Sequence, residues 1–397
     1  MTEEPYRAYC EKRKAEGLFR ALRETESLPG GKAAQGGKVF VNFSSNDYLG
    51  LSRHPEIIRA AQEAAACWGA GSTSSRLIAG ENPLYADIEG KIARGKGTEA
   101  ALVLCSGYQA NITALAALAD SEAVGKPVAI LADRLCHNSL LQGALLSGAR
   151  LTRFRHNDLG HLVTLLEQQK DKDNHVIIVT ESVFGMDGDR ADLARLIEIK
   201  KSYGAMLYVD EAHATGLFGP NGFGLASEHK GQVDVIMGTF GKALGSFGAY
   251  IASSSILRDY LIQRCGGFIY STGLPPPTLA SIDAALDLLP RMEKERAYLQ
   301  QQSARLREAL MQGGWDCGAS TTHIIPVLLG GEDAATDLAE SLGKHGMLAP
   351  AIRPPTVPAG TSRLRISLSS AHSESDINKL IDLMNNKMTH YRQAMAS

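Results

Sequence analysis

The stretches AMLYVDEAHATG (residues 205–216) and VDVIMGTFGKALGSFGAYIAS (residues 233–253) decide the fold of this chain. Each begins with a short apolar run and then turns to glycine and polar residues. Other apolar runs lie upstream, and helix-like amphipathic segments separate them. Because continuous apolar strands alternate with helices, we predict an α/β fold with a mainly parallel sheet that is covered on both faces. The predicted strands are 128–132, 176–180, 205–209, 233–238 and 247–252, and the clearest helices between them are 159–169 and 191–203.

The regions of the chain before and after this sheet have a different order of predicted helices and strands. Towards the amino end we predict a charged helical arm at 5–25, a short strand at 39–43 and a helix at 54–68. Towards the carboxyl end we predict, in order, helix 293–312, strand 323–329, helix 334–345, strands 348–353 and 363–368, and a last helix from Glu374. A chain of 397 residues exceeds one ordinary core. The predicted parts are an N-terminal arm and short strand (1–45), a large domain (46–289) and a small α+β C-terminal domain (290–397).

Composition excludes several classes of function. The formal net charge of −2 and the lack of a Lys/Arg run argue against a nucleic-acid partner. The six cysteines are scattered singly, which is typical neither of a disulfide framework nor of a metal site and indicates a reducing compartment. The charged N-terminus is unlike a signal peptide, and no apolar run approaches the roughly 20 residues that span a bilayer. We therefore expect a cytoplasmic protein with no metal and no membrane partner.

Asp210 directly follows an apolar run and is expected at the mouth of a buried strand. A partly desolvated carboxylate needs a hydrogen bond or a cation, and a protonated heterocyclic nitrogen would supply the cation. His213, three residues later, could then reach a hydroxyl on the same ring. Taken alone, Asp210 is slightly better explained by a helix cap or a local ion pair.

Lys242 follows a second apolar run and lies between Gly241 and Gly245. In a confined, partly dry site its amine would be unprotonated part of the time, as Schiff-base formation requires. The glycines would let the backbone approach a bulky ligand. The alternative is a solvated lysine in a glycine-rich loop.

Four other residues, in three segments, are weaker candidates. Gly107 and Tyr108 precede a strongly helical stretch, where exposed amides form either a phosphate site or an ordinary capped helix start. His137 follows strand 128–132 and either stacks on a planar ligand or is a satisfied polar group. Arg365, in a C-terminal strand, either clamps a carboxylate with two parallel hydrogen bonds or forms a salt bridge at a sheet edge.

Taken together and in this order, these segments of the chain resemble those of the α-oxoamine synthases, a branch of the fold-type I pyridoxal-phosphate (PLP) enzymes. The resemblance covers about residues 20–385 and implies a seven-stranded, mainly parallel sheet in the large domain. The matching blocks are NFSSNDYLGLS (42–52), GAGSTSSRLIAG (69–80), SGYQAN (106–111), FRHND (154–158), VDEAHATGLFGPNGFG (209–224), TFGKALG (239–245), IYSTGLPP (269–276) and IRPPTVPAGTSRLRISLSSAH (352–372).

The resemblance implies a role for each matching residue. Lys242 would hold PLP as a Schiff base and later act as general base and acid at the substrate α-carbon. Asp210 would pair with the ring nitrogen, and His137 would stack over the ring and stabilise developing negative charge. The remaining implied contacts are Gly107 and Tyr108 to the cofactor, His213 to the ring hydroxyl, Thr239 to the phosphate, and Thr272 to the phosphate from the neighbouring subunit of a homodimer.

The resemblance also implies the substrates. Asn46 and Arg365 would position an amino-acid carboxylate, while Arg20 and Thr356 would lie along the acyl path. The segments NFSSNDYLGL and IRPPTVPAGT favour family members that condense L-alanine with a pimeloyl thioester, on coenzyme A or a carrier protein, in biotin biosynthesis. The alternatives are members that use glycine or serine with acetyl or long-chain acyl thioesters, and a non-catalytic subunit of the same fold. The absence of a dinucleotide fingerprint argues against a dehydrogenase.

One position departs from the family pattern. In FGMDGD, Gly185 stands where relatives commonly carry a serine that contacts the cofactor. The change removes one hydrogen bond, worth about 0.5–1.5 kcal/mol, and should not abolish cofactor binding.

Overall fold

The computed structural model describes residues 2–395. Its strands are β1 (Glu26–Leu28), β2 (Lys32–Gln35), β3 (Lys38–Asn42), β4 (Ala100–Leu104), β5 (Val128–Asp133), β6 (Arg150–Phe154), β7 (His175–Glu181), β8 (Met206–Asp210), β9 (Val235–Thr239), β10 (Ala249–Ser253), β11 (Ile324–Gly330), β12 (Met347–Leu348), β13 (Ala351–Ile352) and β14 (Ser362–Ser367). Its helices are α1 (Glu4–Ala15), α2 (Pro55–Trp68), α3 (Leu84–Lys96), α4 (Gly107–Leu118), α5 (Ser121–Val124), α6 (Asn138–Leu146), α7 (Leu159–Glu167), α8 (Leu193–Tyr203), α9 (Ser255–Arg264), α10 (Gly266–Ile269), α11 (Pro276–Leu288), α12 (Glu293–Gln312), α13 (Glu332–Lys344) and α14 (Glu374–Met395).

The largest sheet formed by the described residues has seven strands in the order β4-β10-β9-β8-β7-β5-β6. Only β10 runs against the others, pairing antiparallel with β4 and β9. Along β8, Tyr208 packs into one apolar cluster and Leu207 and Val209 into another, so both faces of the strand are buried. The predicted α/β fold with a mainly parallel, doubly covered sheet is therefore confirmed.

The carboxyl ends of four neighbouring parallel strands place polar groups at one edge of this sheet. They are Asp133 of β5, Glu181 of β7, Asp210 of β8 and Thr239 of β9. Glu181 and Asp210 lie directly opposite each other in the β7–β8 register. In sheets of this kind, ligands bind beyond the carboxyl ends of the strands.

A buried ion pair secures the loop that follows β8. The Nζ of Lys96, the last residue of α3, lies 2.5 Å from Oε2 of Glu211, and both side chains are fully buried. The other oxygen of Glu211 accepts a hydrogen bond from the backbone N–H of Ala226. The pair therefore anchors the 211–226 loop, which carries His213, to the large sheet's covering helix.

The N-terminal prediction needs correction. The helix ends at Ala15 instead of residue 25, and three strands follow it where one was predicted. Helix α1 buries no side chain, so nothing packs against a longer helical face. Strand β3 pairs in parallel with β12, which places the amino-terminal strands beside the C-terminal part of the chain.

The C-terminal region contains a second, three-stranded antiparallel sheet with the order β11-β14-β13. The single strand predicted at 348–353 is wrong: it divides into β12 and β13, which join different sheets. Pro350 lies between them, and its ring nitrogen cannot donate to a ladder. The smaller C-terminal sheet domain is confirmed, while the boundaries of the three-part division stay a prediction. No helix within residues 2–395 combines the length and apolar character needed to cross a bilayer.

Candidate active site

A cavity of about 200 Å³ lies at the carboxyl edge of the large sheet. Seven of the residues predicted from the sequence line it: Gly107, Tyr108, His137, Asp210, His213, Thr239 and Lys242. The sequence analysis did not single out five others: Asn111, Ser139, Glu181, Ala212 and Met237. The structure therefore brings together residues that span more than a hundred positions of the chain.

Lys242 lies in the turn between β9 and β10, and its side chain is largely buried. Its Nζ lies 2.8 Å from Nε2 of His213. Burial lowers the pKa of Lys242 to about 8; Asp210 and Glu181 oppose this shift, and Arg365 adds to it. A substantial fraction of the amine is therefore neutral and nucleophilic near physiological pH.

The Asp210 carboxylate is buried and is held by neutral donors. Oδ1 accepts from the backbone N–H of Ala212 at 2.8 Å, and Oδ2 accepts from Nδ2 of Asn111 at 2.8 Å. No Lys, Arg or His nitrogen lies within 4.0 Å of it in the described part of the chain. A buried carboxylate without a cation favours a positively charged ligand atom.

A hydrogen-bonded chain links Lys242 to Arg365. The Tyr48 hydroxyl donates to Oδ1 of Asn46 at 2.9 Å and also lies 2.8 Å from Nδ1 of His213. Because that hydroxyl has one proton, Nδ1 must be the donor and Nε2 the acceptor that faces Lys242. Burial lowers the pKa of His213 well below its ordinary value, so the imidazole is neutral.

Arg365 completes this chain from β14. Its guanidinium donates to the carbonyl of Gly185 at 2.6 Å and to the hydroxyl of Ser367 at 2.7 Å. It also lies 3.3 Å from both Asn46 Oδ1 and the Tyr48 hydroxyl. Arg365 and Asn46 are thus brought together beside the cavity, with long hydrogen bonds that a carboxylate could replace.

His137 caps helix α6, and this contact defines its tautomer. Nδ1 accepts from the backbone N–H of Ser139 at 3.3 Å and lies 2.6 Å from its hydroxyl. Burial lowers the pKa of His137. The charge of Asp210 opposes this shift, and that of Lys242 adds to it. The neutral ring therefore carries its proton on Nε2, which makes that nitrogen a hydrogen-bond donor at the cavity.

The other end of the cavity suits a phosphate. Helix α4 begins at Gly107, and Ser106 caps it by accepting from Gln109 N–H. The amides of Gly107 and Tyr108 have no partner among the described residues, and the helix dipole favours an anion there. Gly107 lies close to Thr239, since a Cβ added at 107 would be 3.8 Å from the threonine Cβ.

Besides Asn46 and Arg365, three predicted site residues do not line the cavity of this chain. Thr272 is exposed and pairs with Ser75 in an isolated β-bridge. Arg20 and Thr356 are also exposed, and their segments are tied together by a 2.8 Å hydrogen bond from Arg353 to the Gly17 carbonyl.

Glu181 is the most important residue that the sequence analysis missed. It accepts hydrogen bonds from the backbone N–H groups of His137 (2.5 Å) and Gly185 (3.3 Å). Burial and then Asp210 raise the pKa of Glu181 to about 8. Glu181 could have been identified from the sequence as a candidate site residue, because it ends an apolar strand just as Asp210 does.

The environment of Gly185 explains its departure from the family pattern. A Cβ added there would lie 2.5 Å from Nε2 of His213. Its backbone does not occupy the left-handed region, so the constraint is the neighbouring ring and not the backbone. With glycine, His213 can occupy the position from which it contacts Lys242.

The site fits PLP on three independent grounds. Lys242 offers an amine with a lowered pKa, Asp210 offers a carboxylate without a cation, and the start of α4 offers free amides. An aldehyde with a protonated ring nitrogen and a phosphate would satisfy all three.

Comparisons with known proteins agree with this chemistry. Residues 38–383 match the model of the aminotransferase class I and II family. The chain is 52% identical over 375 residues, 94% of each chain, to a putative 8-amino-7-oxononanoate synthase of Bordetella pertussis. It is 51% identical over 350 residues, 88% of each chain, to the 8-amino-7-oxononanoate synthase of Gluconacetobacter diazotrophicus.

A solved structure of serine palmitoyltransferase (SPT) with the PLP internal aldimine superposes with a TM-score of 0.89. It is 28% identical, and the match covers 97% of both chains. With a PLP-type site in a matching fold and curated relatives at about half identity, this chain belongs to the PLP-dependent class I and II aminotransferase family, in the α-oxoamine synthase branch that contains the 8-amino-7-oxononanoate synthases.

Proposed function

We propose that this enzyme condenses L-alanine with a pimeloyl thioester to give 8-amino-7-oxononanoate, with release of carbon dioxide and the thiol. The observation that carries the chemistry is Lys242, an amine with a pKa of about 8 that shares one cavity with Asp210. The substrates rest on relatives at about 50% identity that are named for this product.

Five residues would hold the cofactor. Lys242 would hold it through Nζ, Asp210 at its ring nitrogen, and Gly107, Tyr108 and Thr239 at its phosphate end. When bound, PLP supplies an electron sink that stabilises negative charge at an amino-acid α-carbon. Lys242 would take the α-proton on Nζ and later return it, because a group with a pKa near the working pH can do both.

Arg365 and Asn46 would bind the carboxylate of alanine. A carboxylate oxygen would replace the long 3.3 Å contacts between their side chains with shorter, charge-assisted hydrogen bonds. Arg365 is already oriented by Gly185 and Ser367, so little reorganisation is needed. His213 would meanwhile accept a hydrogen bond at Nε2 from the cofactor's ring hydroxyl.

His137 would act on the acyl substrate. Its Nε2–H is a neutral donor on a ring that lines the cavity, and a thioester oxygen that gains negative charge during attack would accept from it. Glu181 would hold His137 in place through the backbone N–H. Arg20 and Thr356 would line the path of the acyl chain, since Arg353 ties their two segments together.

We further propose a homodimer in which Thr272 reaches the phosphate in the neighbouring subunit. Thr272 is exposed in one chain and lies outside that chain's own cavity. Ile78 and Tyr270, on the segments joined by the Ser75–Thr272 bridge, are 82% and 86% exposed. Burial of such large apolar side chains would favour association.

Product analysis tests the substrates. The purified PLP-loaded enzyme is incubated with L-alanine, glycine or L-serine, each with pimeloyl, acetyl or palmitoyl coenzyme A and with a pimeloyl carrier protein. We expect carbon dioxide and 8-amino-7-oxononanoate from alanine and a pimeloyl thioester. Turnover of serine with palmitoyl coenzyme A, without turnover of alanine with either pimeloyl thioester, would contradict the proposal and favour the activity named for the SPT structure.

A further inference from the structure

A second cavity, of about 210 Å³, lies behind the active site. It shares no lining residue with the Lys242 cavity. The two are connected through packed rings, because the His323 ring in its wall lies 4.0 Å, centroid to centroid, from the ring of Tyr48. The proposed function gives this second cavity no role.

Two arginines converge on one side of it. Arg190 follows β7 in the chain, and Arg307 lies on α12. Arg190 Nη2 lies 3.5 Å from the carbonyl of Thr321, and Arg307 Nη1 lies 3.2 Å from the carbonyl of Thr322. Two guanidinium groups from distant parts of the chain therefore meet at consecutive peptide carbonyls.

Neither guanidinium has an acidic partner. Among the described residues, no carboxylate oxygen lies within 4.0 Å of Arg190 or Arg307. Arg296, in the same wall, differs, because it pairs with Glu293 at 2.8 Å and donates to the carbonyl of Leu289. Burial lowers the pKa of Arg190; Glu228 opposes this shift, and Arg307 adds to it. Two cations that repel each other without a bridging anion are an unusual arrangement for a purely structural contact.

The rest of the wall is mixed: one part is apolar, and Gln300, Ser303, Thr321 and Thr322 add polar groups. Leu217, Phe218 and Leu299 are buried there, and the Arg190 guanidinium lies 4.3 Å from the centre of the Phe218 ring. His323 is 2% exposed, and neither ring nitrogen has a partner among the described residues. The apolar part of this wall offers a surface for a short hydrocarbon chain beside the two arginines.

We propose that this cavity binds a small aliphatic carboxylate, whose carboxylate group is held by Arg190 and Arg307 and whose chain lies against Leu217, Phe218 and Leu299. Planar guanidinium groups match the two oxygens of a carboxylate. An inorganic anion would leave the apolar part of the wall, formed by Leu217, Phe218 and Leu299, without a contact. The chain length of the ligand should therefore change its affinity.

Calorimetric titration of the PLP-loaded enzyme tests this assignment. The probes are acetate, butyrate, hexanoate and inorganic phosphate, each titrated into wild type and into the single variants Arg190→Gln and Arg307→Gln. In wild type we expect affinity to rise with chain length, by up to about fourfold per buried methylene. Each variant should bind hexanoate at least about tenfold more weakly, because a charge-assisted hydrogen bond is lost.

Arg195→Gln is the matched control. Arg195 is an exposed arginine on α8 that pairs with Glu198, and its replacement removes the same charge away from the cavity. It should leave hexanoate affinity unchanged. Equal affinity in all four proteins, or an equal loss in Arg195→Gln, would overturn the assignment. Phosphate binding as tight as hexanoate binding, without a chain-length effect, would overturn the chemical class. Because Arg190 and Arg307 lie outside the Lys242 cavity, these results do not depend on the proposed substrates.

Discussion

Lys242 illustrates how surroundings change the chemistry of one side chain. An exposed lysine is almost fully protonated at neutral pH, whereas burial brings the pKa of Lys242 to about 8. The nearby carboxylates of Asp210 and Glu181 limit the shift, so the amine keeps part of its basicity. The same residue can therefore serve first as nucleophile and then as proton carrier.

Replacing Lys242 with alanine should separate cofactor binding from turnover. We expect Lys242→Ala to retain PLP without a covalent bond, since Asp210 and the α4 amides remain. Turnover should fall by at least about a hundredfold, the usual effect of losing a general base. Mass spectrometry after borohydride reduction should find PLP attached to wild type and to a Lys201→Ala control, whose exposed lysine contacts Gln232. Near-normal turnover in Lys242→Ala would contradict the assignment.

Gly185→Ser should destabilise the cofactor-free protein. The new Cβ would meet His213, a ring already held by Tyr48 and Lys242, so the ring must move. Overpacking of this kind costs about 1–3 kcal/mol of unfolding free energy. Denaturant unfolding measures it, with Gly343→Ala as control, because nothing lies within 4 Å of a Cβ at that helical position. Equal stability of Gly185→Ser and wild type would show that His213 moves freely.

At this scale the sequence revealed residues that end or follow apolar strands. Asp210 and Lys242 were found because each lies next to a run that must be buried. Glu181 occupies an equivalent position and was missed, since its role depends on the backbone N–H of His137, forty-four positions away in the chain. Tyr48 was missed for the same reason: its partners His213 and Arg365 become neighbours only after folding.

At the scale of elements, one histidine joins three segments at the sheet edge. His156, after β6, bonds to Asp133 of β5 through Nδ1 (2.9 Å) and to Asp189 beyond β7 through Nε2 (2.8 Å). Burial lowers the pKa of His156, but its bonds to the two aspartates outweigh burial and raise the pKa to about 10. The FRHND block thus supplies a cation that holds two acidic loops beside the active site.

His156→Gln should therefore lower stability in a pH-dependent way. Loss of the cation leaves two aspartates close together, at a cost on the order of 3 kcal/mol. The folded pKa is about 10 and the unfolded value about 6.5, so the stabilisation is fully present below pH 6.5 and is lost as pH rises through 10. Chemical denaturation from pH 6 to 10 should show the gap between wild type and variant shrinking. A gap that does not change with pH, or one matched by the exposed His345→Gln, would contradict this account.

Element boundaries were predictable where the pattern was long or strongly apolar. Helix α12 occupies the predicted residues, β5 and β7 extend the predicted strands by one or two residues, and β8 is shifted by one residue from the predicted 205–209. Strand β6, RLTRF, was missed because it lies at the sheet edge, where its exposed side chains are polar. The prediction from the helical pattern at 5–25 overestimated the length of α1. The spacing of residues does not show whether the helix has a surface to pack against.

At the scale of the whole molecule, the exposed apolar segments give a test of assembly. Ile78→Glu places a charge in the proposed subunit contact and should yield monomers with weakened PLP binding. Light scattering and PLP titration measure the two effects. Met311→Glu is the control, because Met311 is also exposed but lies at the end of α12. A dimer of unchanged stability in Ile78→Glu would place the contact elsewhere.

The large sheet was predictable because its strands must be buried on both faces, which their sequences show directly. The pairing of β3 with β12 was not predictable, because β12 has only two residues and neither strand's sequence indicates its partner. Their pairing depends on the position of the complete C-terminal region. Asn46, four residues beyond β3, consequently reaches Arg365 only in the assembled molecule.

The pairing of β3 with β12 has a consequence during synthesis. Val41 lies opposite Met347, so the partner of β3 leaves the ribosome roughly 300 residues later. At about 5–20 residues per second, translation of that length takes on the order of 15–60 s. Throughout this interval one edge of the nascent amino-terminal hairpin lacks its neighbour and can pair with another chain. Protection of the unpaired β3 edge during translation, for example by a chaperone, would therefore increase the yield of native enzyme.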